Sequence, residues 1–197
     1  MATPDEQPKG PDPGRSPRVE ARHIPAMALI HQEGVIAVIA LVGLSFRDGG
    51  LLAAVVPPIA LGESILWGIG LGSAAFFALW VIRMLPPLRE LERWQRKMVE
   101  GWTVFDAVAV AMISGLAEEA LIRVLLQPLI GLVPAAMLFA VLHVIPDRRL
   151  WLWPVLALVL GLGLGLLYEV AGYPAAAAAH VLMNGLSLLR LRQPASR

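Results

Sequence analysis

Apolar residues run in long stretches along most of the chain, and short polar segments separate them. Several stretches approach the ~20 residues that an α-helix needs to cross the hydrocarbon core of a bilayer. The pattern therefore predicts an all-α fold, a polytopic membrane protein with about six transmembrane helices. The predicted spans are residues 24–46, 65–85, 104–129, 132–145, 150–170 and 175–191.

The polar segments predict how the chain is divided. Residues 1–23 are rich in proline and contain no Phe, Trp or Tyr, a composition typical of a disordered tail. Residues 24–197 then form a single transmembrane domain. Within it, residues 88–101 combine helical spacing of apolar positions with charges of both signs, which predicts an amphipathic helix at the membrane interface.

Composition and charge support a membrane location. The 197 residues are 57% hydrophobic and 16% charged, whereas soluble domains carry about 25% charged residues. The net charge of +1 weighs against a nucleic-acid partner, and the absence of cysteine excludes disulfides and thiolate chemistry. With six spans, 14 of the 16 Lys and Arg residues fall on one side, so both termini are predicted to be cytoplasmic. The Ala- and Leu-rich bias is typical of a bacterial protein, which predicts the cytoplasmic (inner) membrane.

Polar residues inside the spans point to a site. A charged side chain at that depth costs a few kcal/mol or more unless it is paired or faces a polar cavity. Counted at 1.5 Å per residue from the outer ends of the spans, these polar residues lie at depths between roughly 8 Å and roughly 16 Å. They are therefore expected to lie in one common layer. They occur as pairs four residues apart, which share a helix face. The members are Glu118, Glu119 and Arg123 in the third span, Phe139 and His143 in the fourth, and His180 and Asn184 in the sixth.

This set of side chains suits hydrolysis. A carboxylate can take a proton from water, and a neutral histidine can orient that water and return the proton to a leaving amine. A second histidine and an amide can donate to an oxyanion. Arg123 can neutralise Glu119 and leave Glu118 free. Two other hypotheses stay open: zinc held by Glu118, His143 and His180, and a non-enzymatic transporter or immunity protein.

The motifs Glu118-Glu119-x-x-x-Arg123, Phe139-x-x-x-His143 and His180-x-x-x-Asn184 resemble the signature of the CPBP (CAAX protease and bacteriocin-processing, or Abi) intramembrane proteases. The resemblance covers residues 101–191, the four-helix catalytic core. It implies hydrolysis of a peptide bond in a membrane-associated protein or peptide, without a required metal. It further implies that Glu118 activates water with His143 as its partner, that His180 and Asn184 stabilise the oxyanion, and that Phe139 shapes the site.

Outside this core the sequence is less specific. The first two spans match no known pattern and are expected to set substrate and partner choice. Glu33 has two interpretations: the polar end of a late-starting first span at the interface, or part of a substrate access path. Glu169 is expected to be solvated, with a hydrogen bond in the site as the alternative. Ser114 lacks a Gly-x-Ser-x-Gly elbow, which argues against a serine nucleophile.

Overall fold

The computed structural model describes residues 22–47, 52 and 55–193, and over these residues the chain is helical with no strand. Almost all of the predicted tail, residues 1–21, lies outside this range. The helices are α1 (Ala26–Ser45), α2 (Leu61–Ile82), α3 (Pro86–Met98), α4 (Val104–Glu119), a π-helical segment (Ala120–Leu126), α5 (Gln127–Ile130), α6 (Leu132–Leu142), a 3₁₀ turn (Arg148–Leu150), α7 (Leu152–Ala171) and α8 (Tyr173–Leu191).

The helical surfaces are those of an integral membrane protein. Within the residues that the structure describes, three segments are long and apolar enough to cross a membrane: Ala26–Ser45, Leu61–Ile82 and Arg148–Ala171. Large apolar side chains are exposed along α1 and α2, among them Val38, Ile39 and Phe77. Exposed apolar area of this extent is normal only where lipid or a partner covers it. The predicted all-α membrane fold is confirmed.

The third predicted span is one helical run with a change of hydrogen-bond pattern. It begins at a capping box, in which the Thr103 hydroxyl accepts from the Asp106 backbone N–H at 3.1 Å and the Asp106 carboxylate accepts from the Thr103 N–H at 2.8 Å. The α-helical pattern widens to a π-helix at Ala120, directly after the two glutamates. Gly131, at φ +87°, separates this run from α6.

The fourth predicted span is shorter than expected. Helix α6 ends at Leu142, and His143 is its C-cap, whereas the sequence predicted a helix to residue 145. Pro146 explains the difference, because its ring would clash with the carbonyl of Leu142 and it has no N–H to donate. His143 therefore lies at the end of a helix instead of within one.

Helix α8 lies at the centre of the bundle and packs against α2, α4 and α7. Its alanine-rich face allows close approach of α2, where Cβ atoms on Gly68 and Gly72 would lie 2.4 and 2.6 Å from the carbonyl oxygens of Ala175 and Ala179. Small residues in this register are the usual means of close helix packing in membranes. On another face, α8, which carries His180 and Asn184, packs directly against α4, which carries the glutamates.

Helix α3 is the predicted amphipathic helix, and it lies across one end of the bundle. Its apolar face buries Leu88 and Leu91. At the same end the Trp102 indole N–H donates to the carbonyl of Ile24 at 2.9 Å, and Arg96 donates to the carbonyl of Leu191 at 3.2 Å. The start of α1 and the end of α8 thus lie together at this end of the bundle.

Candidate active site

A buried polar network surrounds Glu119. Its Oε2 accepts from Arg123 Nε at 3.0 Å, and both side chains are completely buried. Its Oε1 lies 2.9 Å from Nδ1 of His180, which is 3% exposed. Because a carboxylate accepts hydrogen bonds only, Nδ1 of His180 carries the proton and Nε2 faces away from Glu119. Both oxygens of Glu119 are therefore occupied by protein donors.

Gln127 extends this network to α7. Its Oε1 accepts from Arg123 Nη1 at 3.4 Å, and its Nε2 donates to the Gly165 carbonyl and to Glu169 Oε1, both at 3.1 Å. The sequence interpretation missed Gln127, although its position four residues after Arg123 continues the spacing from Glu119. Glu169 is exposed, as expected of a solvated side chain, and it also accepts the hydrogen bond from Gln127, which was the alternative expectation.

Glu118 has a different environment from its neighbour. Its side chain is partly buried, and its Oε2 is buried without a hydrogen-bond partner in the part of the chain that the structure describes. Glu118 lies close enough to His180 and Glu33 to interact with them electrostatically. Of the two adjacent glutamates, it is thus the one with an oxygen that no described protein group binds.

Phe139 lies between the two histidines. Its ring centroid is 4.5 Å from that of His143 and 5.8 Å from that of His180. The His143 Nδ1 donates to the carbonyl of Phe139 at 2.8 Å, because a carbonyl can only accept. In the neutral ring this leaves the lone pair on Nε2. The Arg123 guanidinium lies 5.4 Å from the centre of the Phe139 ring, and the π face of an aromatic ring attracts a cation.

Asn184 is held by Ser114. The amide Nδ2 donates to the Ser114 hydroxyl at 3.2 Å, and Ser114 is 6% exposed. One N–H of the amide is thereby fixed, and the second is left for a ligand. The sequence interpretation considered Ser114 only as a nucleophile; its position four residues before Glu118, on the same helix face, is the signal that could have placed it in the site.

The predicted site residues do not all touch one another. His180 joins the Glu119 network, and Phe139 connects it to His143, but no hydrogen bond or ion pair joins Glu118 to His143 among the described side chains. The predicted zinc ligands are not gathered either. Within residues 22–47, 52 and 55–193, no three His, Asp or Glu side chains are arranged to hold a metal ion.

A cavity of about 230 Å³ borders the site. Ser114 and Asn184 line it, together with apolar side chains of α2, α7 and α8. Glu33 also lines it and is 6% exposed, whereas the neighbouring His31 and Gln32 are exposed. The interpretation of Glu33 as the solvated end of a late-starting span is wrong, because α1 begins seven residues earlier, at Ala26, and turns Glu33 towards α4.

Comparison with protein families supports the motif-based prediction. Residues 100–186 match the family described as type II CAAX prenyl endopeptidase Rce1-like. The matched segment contains every site residue predicted from the sequence, and α1 and α2 lie outside it. Searches of curated proteins and of solved structures find no match.

Proposed function

We propose that this integral membrane protein is a CAAX-type intramembrane protease, an endopeptidase of the glutamic type, because residues 100–186 match the Rce1-like family. Its substrate is a membrane-associated protein or peptide. The catalytic residues in this proposal are Glu118, His143, His180 and Asn184. Their positions are held by three further residues, Glu119, Arg123 and Phe139. The location we propose is a bacterial inner membrane with both chain termini in the cytoplasm.

The observation that carries this proposal is the unoccupied oxygen of Glu118. A general base must have an atom free for the proton that it abstracts. Glu118 Oε2 has no partner in the described chain, whereas both oxygens of Glu119 are bonded to Arg123 and His180. The two glutamates therefore have separate roles, one toward water and one toward the protein.

The reaction adds one water to one peptide bond. Glu118 removes a proton from the water, and the water oxygen bonds to the carbonyl carbon. Asn184, through its amide N–H, and His180, through Nε2–H of its doubly protonated ring, donate hydrogen bonds to the oxygen that gains negative charge. The carbon–nitrogen bond then breaks, and the proton passes to the nitrogen of the leaving amine. His143, with its Nε2 lone pair, orients the water and assists this proton transfer.

We further propose that no metal ion takes part in these steps. The support is the donor geometry, since Glu118, His143 and His180 belong to no three-ligand group in the described chain. Protein dialysed against EDTA should retain its activity, and added Zn²⁺ should not raise the rate. A chelator-induced loss that Zn²⁺ restores would contradict the glutamic mechanism.

The main test uses Glu118→Gln, which keeps the shape of the side chain but removes the base. We expect cleavage to generate new protein termini in membranes of cells with the wild-type protein. With the variant, the rate at which these termini form should fall about 10²–10⁴-fold. The measurement is quantitative mass spectrometry of membrane-protein termini. Glu63→Gln is the matched control, because Glu63 is an exposed glutamate on α2, outside the site. Equal cleavage by a folded Glu118→Gln protein would refute the mechanism.

A further inference from the structure

Glu33 is a buried carboxylate that the proposed reaction does not use. It lies on α1, outside the segment matched to the protease family, and roughly 10 Å along the helix from Ala26. Its side chain is 6% exposed, and its Oε2 is buried without a partner in the described part of the protein. A buried carboxylate without a partner is destabilising while it is charged, so it favours binding of a proton or of a cationic group.

The other charged groups of the cavity do not neutralise Glu33. Glu92 and Arg190 line the same cavity and pair with each other. Arg83 donates to the carbonyl of Trp80 and lies 4.5 Å above its indole ring. Glu118 and His180 are both close enough to interact with Glu33 electrostatically, but His180 is hydrogen-bonded to Glu119, and Glu118 adds a second negative charge. The part of the cavity at Glu33 is therefore suited to a cation.

The lining of the cavity indicates which kind of cationic group fits there. Much of the remaining lining of the cavity is apolar, including Phe76, Leu79, Leu156 and Leu160. Lysine and arginine combine a methylene stem, which packs on apolar surface, with a charged head. Ser114 and Asn184 line the same cavity, so a side chain bound there belongs to a residue near the reacting carbonyl.

We propose that this cavity is a specificity subsite for a basic side chain of the peptide substrate, with Glu33 binding its ammonium or guanidinium group. The inference rests on the proposed protease function, and it assigns the first helix a part in substrate choice. Glu33 is a specificity residue in this scheme, and the chemistry of hydrolysis stays with the residues of the matched domain.

Binding can be tested without cleavage. n-Octylamine and n-octanol share an apolar chain and differ in their charge, so the pair isolates the contribution of the cation. In nanodiscs, octylamine should raise the Tm of the wild type and of Glu63→Gln more than octanol does. Glu33→Gln should weaken the apparent Kd for octylamine about tenfold, the effect of one charge-assisted hydrogen bond. Equal stabilisation by octanol, or an unchanged Kd in Glu33→Gln, would overturn the inference.

Cleavage provides the second test and separates the two proposals. Reconstituted protein receives pairs of membrane-anchored peptides that carry lysine or norleucine at successive positions on either side of the cleaved bond. The wild type should prefer lysine at one position, and Glu33→Gln should reduce this ratio of kcat/KM about tenfold. Loss of cleavage in Glu118→Gln supports the protease mechanism independently. If the wild type shows no preference for lysine at any position while Glu118→Gln is inactive, the subsite is refuted and the mechanism stands.

Discussion

Two regions of the site differ in how completely their carboxylate oxygens are bonded. Around Glu119, the side chains of Arg123, His180 and Gln127 form a continuous chain of hydrogen bonds that reaches α7, and only Nη2 of Arg123 is buried there without a partner in the described residues. By contrast, Glu118 and Glu33 each have a buried carboxylate oxygen with no partner in the described residues. Bonded networks fix a structure, and free polar atoms bind ligands. The difference supports the proposal that the first region maintains the geometry and the second region meets the substrate.

The largest expected effect comes from Glu119→Ala. Removing one partner of a buried ion pair leaves the other charge uncompensated and costs about 3–5 kcal/mol. Glu118→Ala removes a carboxylate whose Oε2 has no hydrogen-bond partner, so its free energy of unfolding should stay close to that of the wild type. Unfolding by SDS titration in mixed micelles measures both variants. Equal destabilisation by the two changes would mean that the bonded and unbonded regions do not differ as described.

On the cavity side, Asn184→Ala should slow catalysis without unfolding the protein. Loss of one oxyanion donor typically lowers kcat about 10²–10³-fold, equivalent to about 2.7–4 kcal/mol. Ser114→Ala leaves the amide in place but removes its anchor, so a smaller loss is expected. Steady-state kinetics with a cleaved peptide give both values. An increase in KM with an unchanged kcat for Asn184→Ala would assign the amide to substrate binding instead of to the oxyanion.

The smallest effect is expected at Glu92, at the edge of the cavity. Burial raises the pKa of Glu92, but hydrogen bonds and charges from Arg190 and Arg96 outweigh it and hold the pKa below its usual value. A carboxylate with a lowered pKa in the folded state stabilises the protein above its unfolded pKa, near 4.5, and this contribution disappears as the pH falls through the folded pKa. The amount is about 1 kcal/mol or less, because the pair is partly solvated.

Thermal unfolding between pH 6 and pH 3 measures this contribution. Glu92→Gln should be less stable than the wild type at the upper end of the range and equal to it at the lower end. A constant difference across the range would show that Glu92 acts through packing and not through its charge.

The sequence predicted the helices well, because lipid-facing spans are defined by apolar length and polar breaks alone. Helix α1 and the predicted first span differ by two residues at the start and one at the end. The sequence also contains the cause of the early end of α6, because Pro146 cannot continue the helix. The candidate chemical groups could be selected from the sequence because charges are rare at such depth, which makes Glu118, Glu119 and Arg123 conspicuous.

The contacts between these groups depend on tertiary packing and could not be predicted in the same way. The sequence does not show that Glu33 turns inward while His31 and Gln32 stay exposed, since the three are adjacent polar residues. Gln127 is polar at a helical spacing from Arg123, but its partners on α7 are a backbone carbonyl and a distant glutamate. Rotation of each helix about its axis decides both cases, and periodicity gives that rotation only coarsely.

The π-helical segment Ala120–Leu126 has a consequence for how this chain tolerates changes in length. A π turn accommodates one more residue than an α turn, so it is the form that a single-residue insertion takes in a continuous helix. Deleting one residue from this segment would restore the α pattern and leave the helix after it in nearly the same orientation relative to Glu118 and Glu119. Deleting one residue from the regular part of α4 would instead rotate the residues on its two sides by about 100° relative to each other. The same change in length is therefore tolerated in the π-helical segment and disruptive in the helix before it.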